Sequence, residues 1–182
     1  AAYRNVLTGS ATERSVADSR VDLDALGQWV EFTESAGLEF NHIFDSEMSV
    51  SEALDLIASS GRAAQSITDG KWSVVVDQEK STVIQHFTPR NIHSFSAEKT
   101  FSDKTHALRV QFANRDKDWQ IDEITVFNDG FDNSSATKFE SLDLTQGVTS
   151  EAQAFRAASY HLAVDELRPE TYTFETDVEH LV

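Results

Sequence analysis

The chain has no cysteine. That excludes disulfides, thiol nucleophiles, zinc–thiolate sites and iron–sulfur clusters, although a Cys-free protein is compatible with any compartment. Proline occurs twice and glycine seven times in 182 residues, so there is no Pro-rich linker and no low-complexity segment. Positive charge is scarce: 15 basic residues stand against 31 acidic ones, a formal charge of −16. So acidic a surface repels phosphate backbones and anionic lipid, which disfavours nucleic-acid binding. No apolar run approaches the ~18 residues of a membrane span, and no basic-then-apolar leader is visible, so no membrane insertion by this segment is expected. G-x-S-x-G, G-x-G-x-x-G, P-loop and H-E-x-x-H motifs are all missing.

What is present is enough apolar material for a core, at 40% hydrophobic residues with 12 phenylalanines. The acid is spread along the chain, which argues against a disordered tail. "AAYRNVLTGS" lacks a Met and reads as the approach to a strand, and "RPETYTFETDVEHLV" ends the chain on a strand pattern. Tyr172, Phe174 and Val178 alternate with Thr171, Thr173, Glu175 and Asp177, as in a half-buried strand. Both ends read as cuts in something longer.

Along the chain, "VDLDALGQWVEFTESAG" has the period of a helix, with Leu23, Leu26, Trp29, Val30 and Thr33 on one face, Asp22 as its cap and Gly37 as its stop. "LEFNHIF" reads as a short strand. Ser49 and Glu52 have capping-box spacing ahead of the stripe Val50, Ala53, Leu54, Ile57 and Ala58, and Gly61 stands where a left-handed cap is wanted. Asp69-Gly70 predicts a type I′ hairpin in "RAAQSITDGKWSVVVDQ", with Trp72, Val74 and Val76 on one face. "HSFSAEKTF", "HALRVQFANR", "WQIDEITVFNDG" and "TKFESLDL" are four further strand candidates. A helix over 150–167 follows, with Ser150 and Gln153 as a second capping box. Phe155, Ala158, Leu162 and Val164 to Leu167 form its apolar side, and Pro169 stops it. The pattern is α+β: residues 1–88 form an α/β unit of helix plus hairpin, and residues 89–182 form a β-rich, barrel-like unit with one long helix.

Chemistry is harder to find. The histidines (His42, His86, His93, His106, His161 and His180) have no i, i+4 pair and read as surface or satisfied core residues rather than ligands. With 31 acids, a pair of carboxylates carries no information about glycoside cleavage. Trp29, Trp72 and Trp119 sit on patterned elements, where core or interface anchoring is commoner than sugar stacking. In "HFTPRNI", Thr88-Pro89 signals a turn and Arg90 is a lone cation. The stretch reads either as a rigid elbow between the two halves or as a loop contacting a neighbouring chain. Its candidate interface residues are Phe87, Pro89, Arg90 and Asn91. No catalytic, cofactor-binding or metal-binding residue is expected, and no enzyme.

Several blocks occur in series: "FNHIFDSEMSVSEALDLIASSGRA", "DGKWSVVVDQEK", "HFTPRN", "FANRDKDWQIDEITVFNDGFD", "ATKFESLDLTQGVT" and "RPETYTFETDVEHLV". In this order they resemble the phage tail-tip family called host-specificity protein or tip attachment protein J, from about residue 38 onward and weakly in the helix before it. No block is a catalytic motif. The resemblance implies a segment of the baseplate hub, the ring that closes the tail tube, from a phage or prophage. It implies other tail-tip and baseplate proteins as partners, a homotrimer in the full-length parent, and residence in the host cytoplasm during assembly and then the virion tail. The family pattern runs on past "EHLV" into a further turn and strand. The competing class is a carbohydrate-binding or carbohydrate-cleaving module acting on the host surface.

Overall fold

The structure is a computed structural model that describes residues 2–10, 12–99 and 104–177. The first element corrects the sequence reading: "AYRNVLT" is a helix, α1 (Ala2–Thr8), rather than the approach to a strand. Helical geometry puts Tyr3 and Leu7 on one buried face and turns Asn5 out to solvent, whereas a strand would have buried Asn5 between them. Helix α2 (Leu23–Ala36) starts where Asp22 Oδ1 accepts from the Ala25 N–H. It ends in a Schellman motif: Gly37 is left-handed, and the N–H groups of Gly37 and Leu38 donate to the carbonyls of Glu34 and Thr33.

Helix α3 (Val50–Ser60) opens with the complete Ser49–Glu52 capping box and buries Ala53, Leu54, Ile57 and Ala58. Its end differs from expectation. Gly61 has a φ of −103°, and the left-handed residue is Arg62, at +53°. Glycine is needed at 61 for space: a Cβ there would lie 2.6 Å from the Trp29 ring. Strands β1 (Ala63–Thr68) and β2 (Lys71–Val76) form the hairpin, with Asp69 and Gly70 both at positive φ. Trp72, Val74 and Val76 all pack on the first core, but Ser73 is buried as well. The Tyr3 hydroxyl donates to Ser73 O, and the Ser73 hydroxyl donates to Asp22 Oδ2. Burial, with a smaller contribution from Asp55, pushes the Tyr3 phenol up to about 12. This core draws on α1, α2, α3 and β2.

"LEFNHIF" is not a strand; only Asn41 makes a bridge, to Gly147. Strand β3 (Ile92–Lys99) comes next, then β4 (Ala107–Asn114), β5 (Gln120–Phe127) and β6 (Phe139–Asp143). The order is β5-β4-β6, with β5 antiparallel and β6 parallel to β4. Leu108, Val110 and Phe112 of β4 meet Ala154, Ala158 and Leu162 of α4 (Glu151–Leu167) in a second core. Phe155 and Leu167, expected on the apolar side of α4, are exposed instead. Small alanines let the helix lie close on the sheet beside Leu162, and Phe155 and Leu167 point away. The second capping box is half formed: Ser150 Oγ accepts from the Gln153 N–H, but the Gln153 side chain donates to Glu39 O at 2.7 Å.

Strand β7 (Glu170–Thr176) pairs antiparallel with β3 in a ribbon of its own. The ribbon is not half-buried as its alternation suggests; Tyr172 is exposed and Phe174 is only partly covered. Val178 lies outside the described residues. The class is α+β, but among the described residues no sheet closes into a barrel: there are two two-stranded sheets and one three-stranded sheet.

Gly61→Ala should cost about 1–3 kcal/mol, because its backbone dihedrals suit alanine and the collision with Trp29 alone opposes it. Denaturant unfolding followed by Trp fluorescence measures this; a change within a few tenths of a kcal/mol would mean that the ring yields freely.

Candidate functional site

The turn "HFTPRNI" is wound around one side chain. Asn91 Oδ1 accepts the Thr88 N–H at 2.6 Å and the Thr88 hydroxyl at 3.2 Å, while its Nδ2 donates to His86 O. The N–H groups of Asn91 and Ile92 both return to Thr88 O. Pro89, which has no N–H to satisfy, takes the position after Thr88 with its φ already fixed. The turn is also fastened to β7: the Phe87 ring lies 4.7 Å from the Phe174 ring, and the Thr176 hydroxyl donates to Asn91 O at 2.8 Å. The structure therefore brings the four candidate interface residues together and divides them. Phe87 and Asn91 fasten the root of the ribbon, whereas Pro89 and Arg90 are exposed at its crest.

Beyond the root, both faces of the ribbon meet solvent. Phe95 and Tyr172, 58% and 56% exposed, stack with centroids 6.1 Å apart. Lys99 pairs with Glu170 at 3.0 Å, and the Tyr172 hydroxyl bonds to the same carboxylate. An isolated two-stranded ribbon is marginal in water, so these cross-strand pairs and the Phe87–Phe174 contact are its main support.

The tryptophans do not converge. Trp29 is buried, Trp72 is half-buried on the first core, and Trp119 stands 63% exposed on the turn before β5. Among the described residues, no group of three or more His, Asp and Glu is placed to hold a metal ion, and no helix is long and apolar enough to cross a membrane. His106 serves the fold: its Nδ1 accepts the N–H groups of Thr137 and Lys138, and its ring stacks on Phe131. No family model and no curated protein matches this chain.

A second constellation, which the sequence reading missed, joins the two cores. Asp77, directly after β2, accepts from Arg168 at 2.6 Å and from the Tyr160 hydroxyl. Arg62 lies over the Tyr160 ring at 4.6 Å. Arg156 reaches Gly37 O at 2.6 Å, and the Asn41–Gly147 bridge lies at the other side. These bonds, first Arg168 and then Tyr160, hold the Asp77 carboxyl below its ordinary range. Gly37 carried a sequence signal only as the stop of α2, and Gln153, which also crosses the junction to Glu39 O, only as a cap.

Asp77→Asn should cost about 1–2 kcal/mol at neutral pH. Because folding lowers the Asp77 pKa, its contribution is complete above the ordinary carboxylate range and is lost as the pH falls through the lowered value. The gap between wild type and variant should therefore close on acidification; a gap independent of pH would show that the ionised carboxylate is not what matters. Phe87→Ala should speed amide exchange in β3 and β7 while β4 and α4 stay protected. Unchanged exchange in the ribbon would remove Phe87 from its support.

Proposed function

We propose that the chain is a structural segment of a phage or prophage tail-tip protein, in the baseplate hub, serving tail assembly, host attachment and DNA delivery without catalysis of its own. The observation that carries the reading joins sequence to structure. "HFTPRN" and "RPETYTFE", two of the blocks in the tail-tip resemblance, lie far apart in the chain and meet in one ribbon through Phe87–Phe174 and Thr176–Asn91.

A ribbon exposed on both faces suits assembly better than chemistry. It offers backbone edges and the Phe95–Tyr172 pair to neighbouring chains. The neighbours would be other tail-tip and baseplate proteins and, in the full-length parent, two further copies in a trimer. Such a chain would occupy the host cytoplasm during assembly and the virion tail afterwards. A charge of −16 suits a wall past which DNA slides without being gripped.

Immunogold electron microscopy tests the proposal. Antibody raised against this chain should decorate the tail tips of particles induced from a host that encodes it. Tips without label, with the antigen found elsewhere, would refute the structural role. Release of reducing sugar from peptidoglycan or capsule by the purified chain would refute the absence of catalysis.

A further inference from the structure

We propose that the outer face of α2 is a docking groove for an amphipathic helix of a partner chain that carries basic residues beside its apolar stripe. The groove has a volume of about 680 Å³. Leu23, Gly27 and Val30 of α2 line it together with Leu38, Phe40 and Ile57. Leu23 and Val30, two turns apart on one face of the helix, are 47% and 37% exposed.

Gly27 is the telling residue. A glycine inside a helix costs about 1 kcal/mol relative to alanine, and among the described residues nothing requires one here. Gly27 is not among the residues at positive φ, and a Cβ built on it would meet nothing within 4 Å. Gly61 and Gly147 differ: a Cβ on either would run into Trp29 or Phe40 at under 3.0 Å. Bare backbone facing open space, between two exposed apolar side chains on one helix face, is a notch into which a second helix can approach closely. The contact side chains set the distance between packed helices, and glycine permits the short end of the range.

Charge selects the occupant. The charged residues of α2 are Asp24, Glu31 and Glu34, all acidic. The groove's Arg4 is already paired with Asp18 at 2.6 Å, and its Glu39 faces Arg115 at 3.6 Å. A second copy of this chain would bring −16 of like charge, so a partner with lysine or arginine flanking its stripe is favoured. The groove's chemistry does not depend on whether the chain serves in a tail.

The probe is a fluorescein-labelled model helix with a leucine stripe flanked by lysines, with a glutamate-flanked counterpart as control. Fluorescence anisotropy in buffer of physiological salt should show binding of the lysine peptide and little of the glutamate peptide. Gly27→Leu fills the notch, and an unchanged or raised Tm would show that the fold survives. It should weaken binding by about tenfold or more, the loss expected when a central packing position is blocked. Gly27→Ala should fall between the two. Absence of binding to the wild type overturns the proposal. So does equal binding by Gly27→Leu, which would reduce the contact to surface charge, or equal binding of the glutamate peptide. Self-association of the wild type that Gly27→Leu abolishes would overturn it in favour of a second copy.

Discussion

The contact between Trp29 and Gly61 is the constraint on which the rest of the structure depends. The Trp29 indole N–H donates to Gly61 O at 2.9 Å, and the ring occupies the volume a Cβ would need. Tyr3 packs edge-on against the same ring at 5.8 Å, which ties α1 to α2 and, through the Tyr3 hydroxyl, to β2. Because Gly61 is pinned, the chain turns at Arg62 with positive φ and enters the hairpin. That turn carries the Arg62 guanidinium onto Tyr160, whose hydroxyl meets Asp77, which in turn holds Arg168. One aromatic contact thus leads through successive polar contacts from the first core to α4.

The two cores and the ribbon divide the labour. Each core closes over its own apolar side chains, while their junction is made of hydrogen bonds, an ion pair and one stacked guanidinium. Polar junctions of this kind hold an orientation with little buried apolar area. The ribbon adds almost nothing to either core and presents most of its surface outward.

Local signals in the sequence were legible because the residues that make each of them are neighbours in the chain. The Ser49–Glu52 box, the Asp69-Gly70 turn, the Gly37 stop and the strands from β3 to β6 all formed where periodicity and cap chemistry place them. Failures came where a distant partner decided the outcome. Gln153 has a local role open to it at Ser150, but Glu39 O is the partner it takes. Gly61 looked like a dihedral requirement and is a steric one, set by a ring 32 residues away. In α1, the period was too short to separate helix from strand until burial of Tyr3 and Leu7 decided it. Of the interface candidates, the turn was visible from Thr88-Pro89, but the inward role of Phe87 and Asn91 depended on β7. Asp77 had no signal at all, since nothing near it in sequence foretells Tyr160 and Arg168.

The ribbon has a mechanical consequence. Strands β3 and β7 are antiparallel, so the chain preceding Ile92 and the chain following Thr176 leave from the same end. Tension between residues 91 and 177 would peel the rungs apart one at a time rather than shear them all together. The Thr176–Asn91 bond and the Phe87–Phe174 contact sit at the mouth and would carry the load first. Each released residue would add roughly 3.3 Å of slack on each strand. The three-stranded sheet and α4 lie on the far side of the ribbon in the chain's path. They would feel little of a pull until the strands had parted, so the ribbon would act as an extensible link that yields before the cores do.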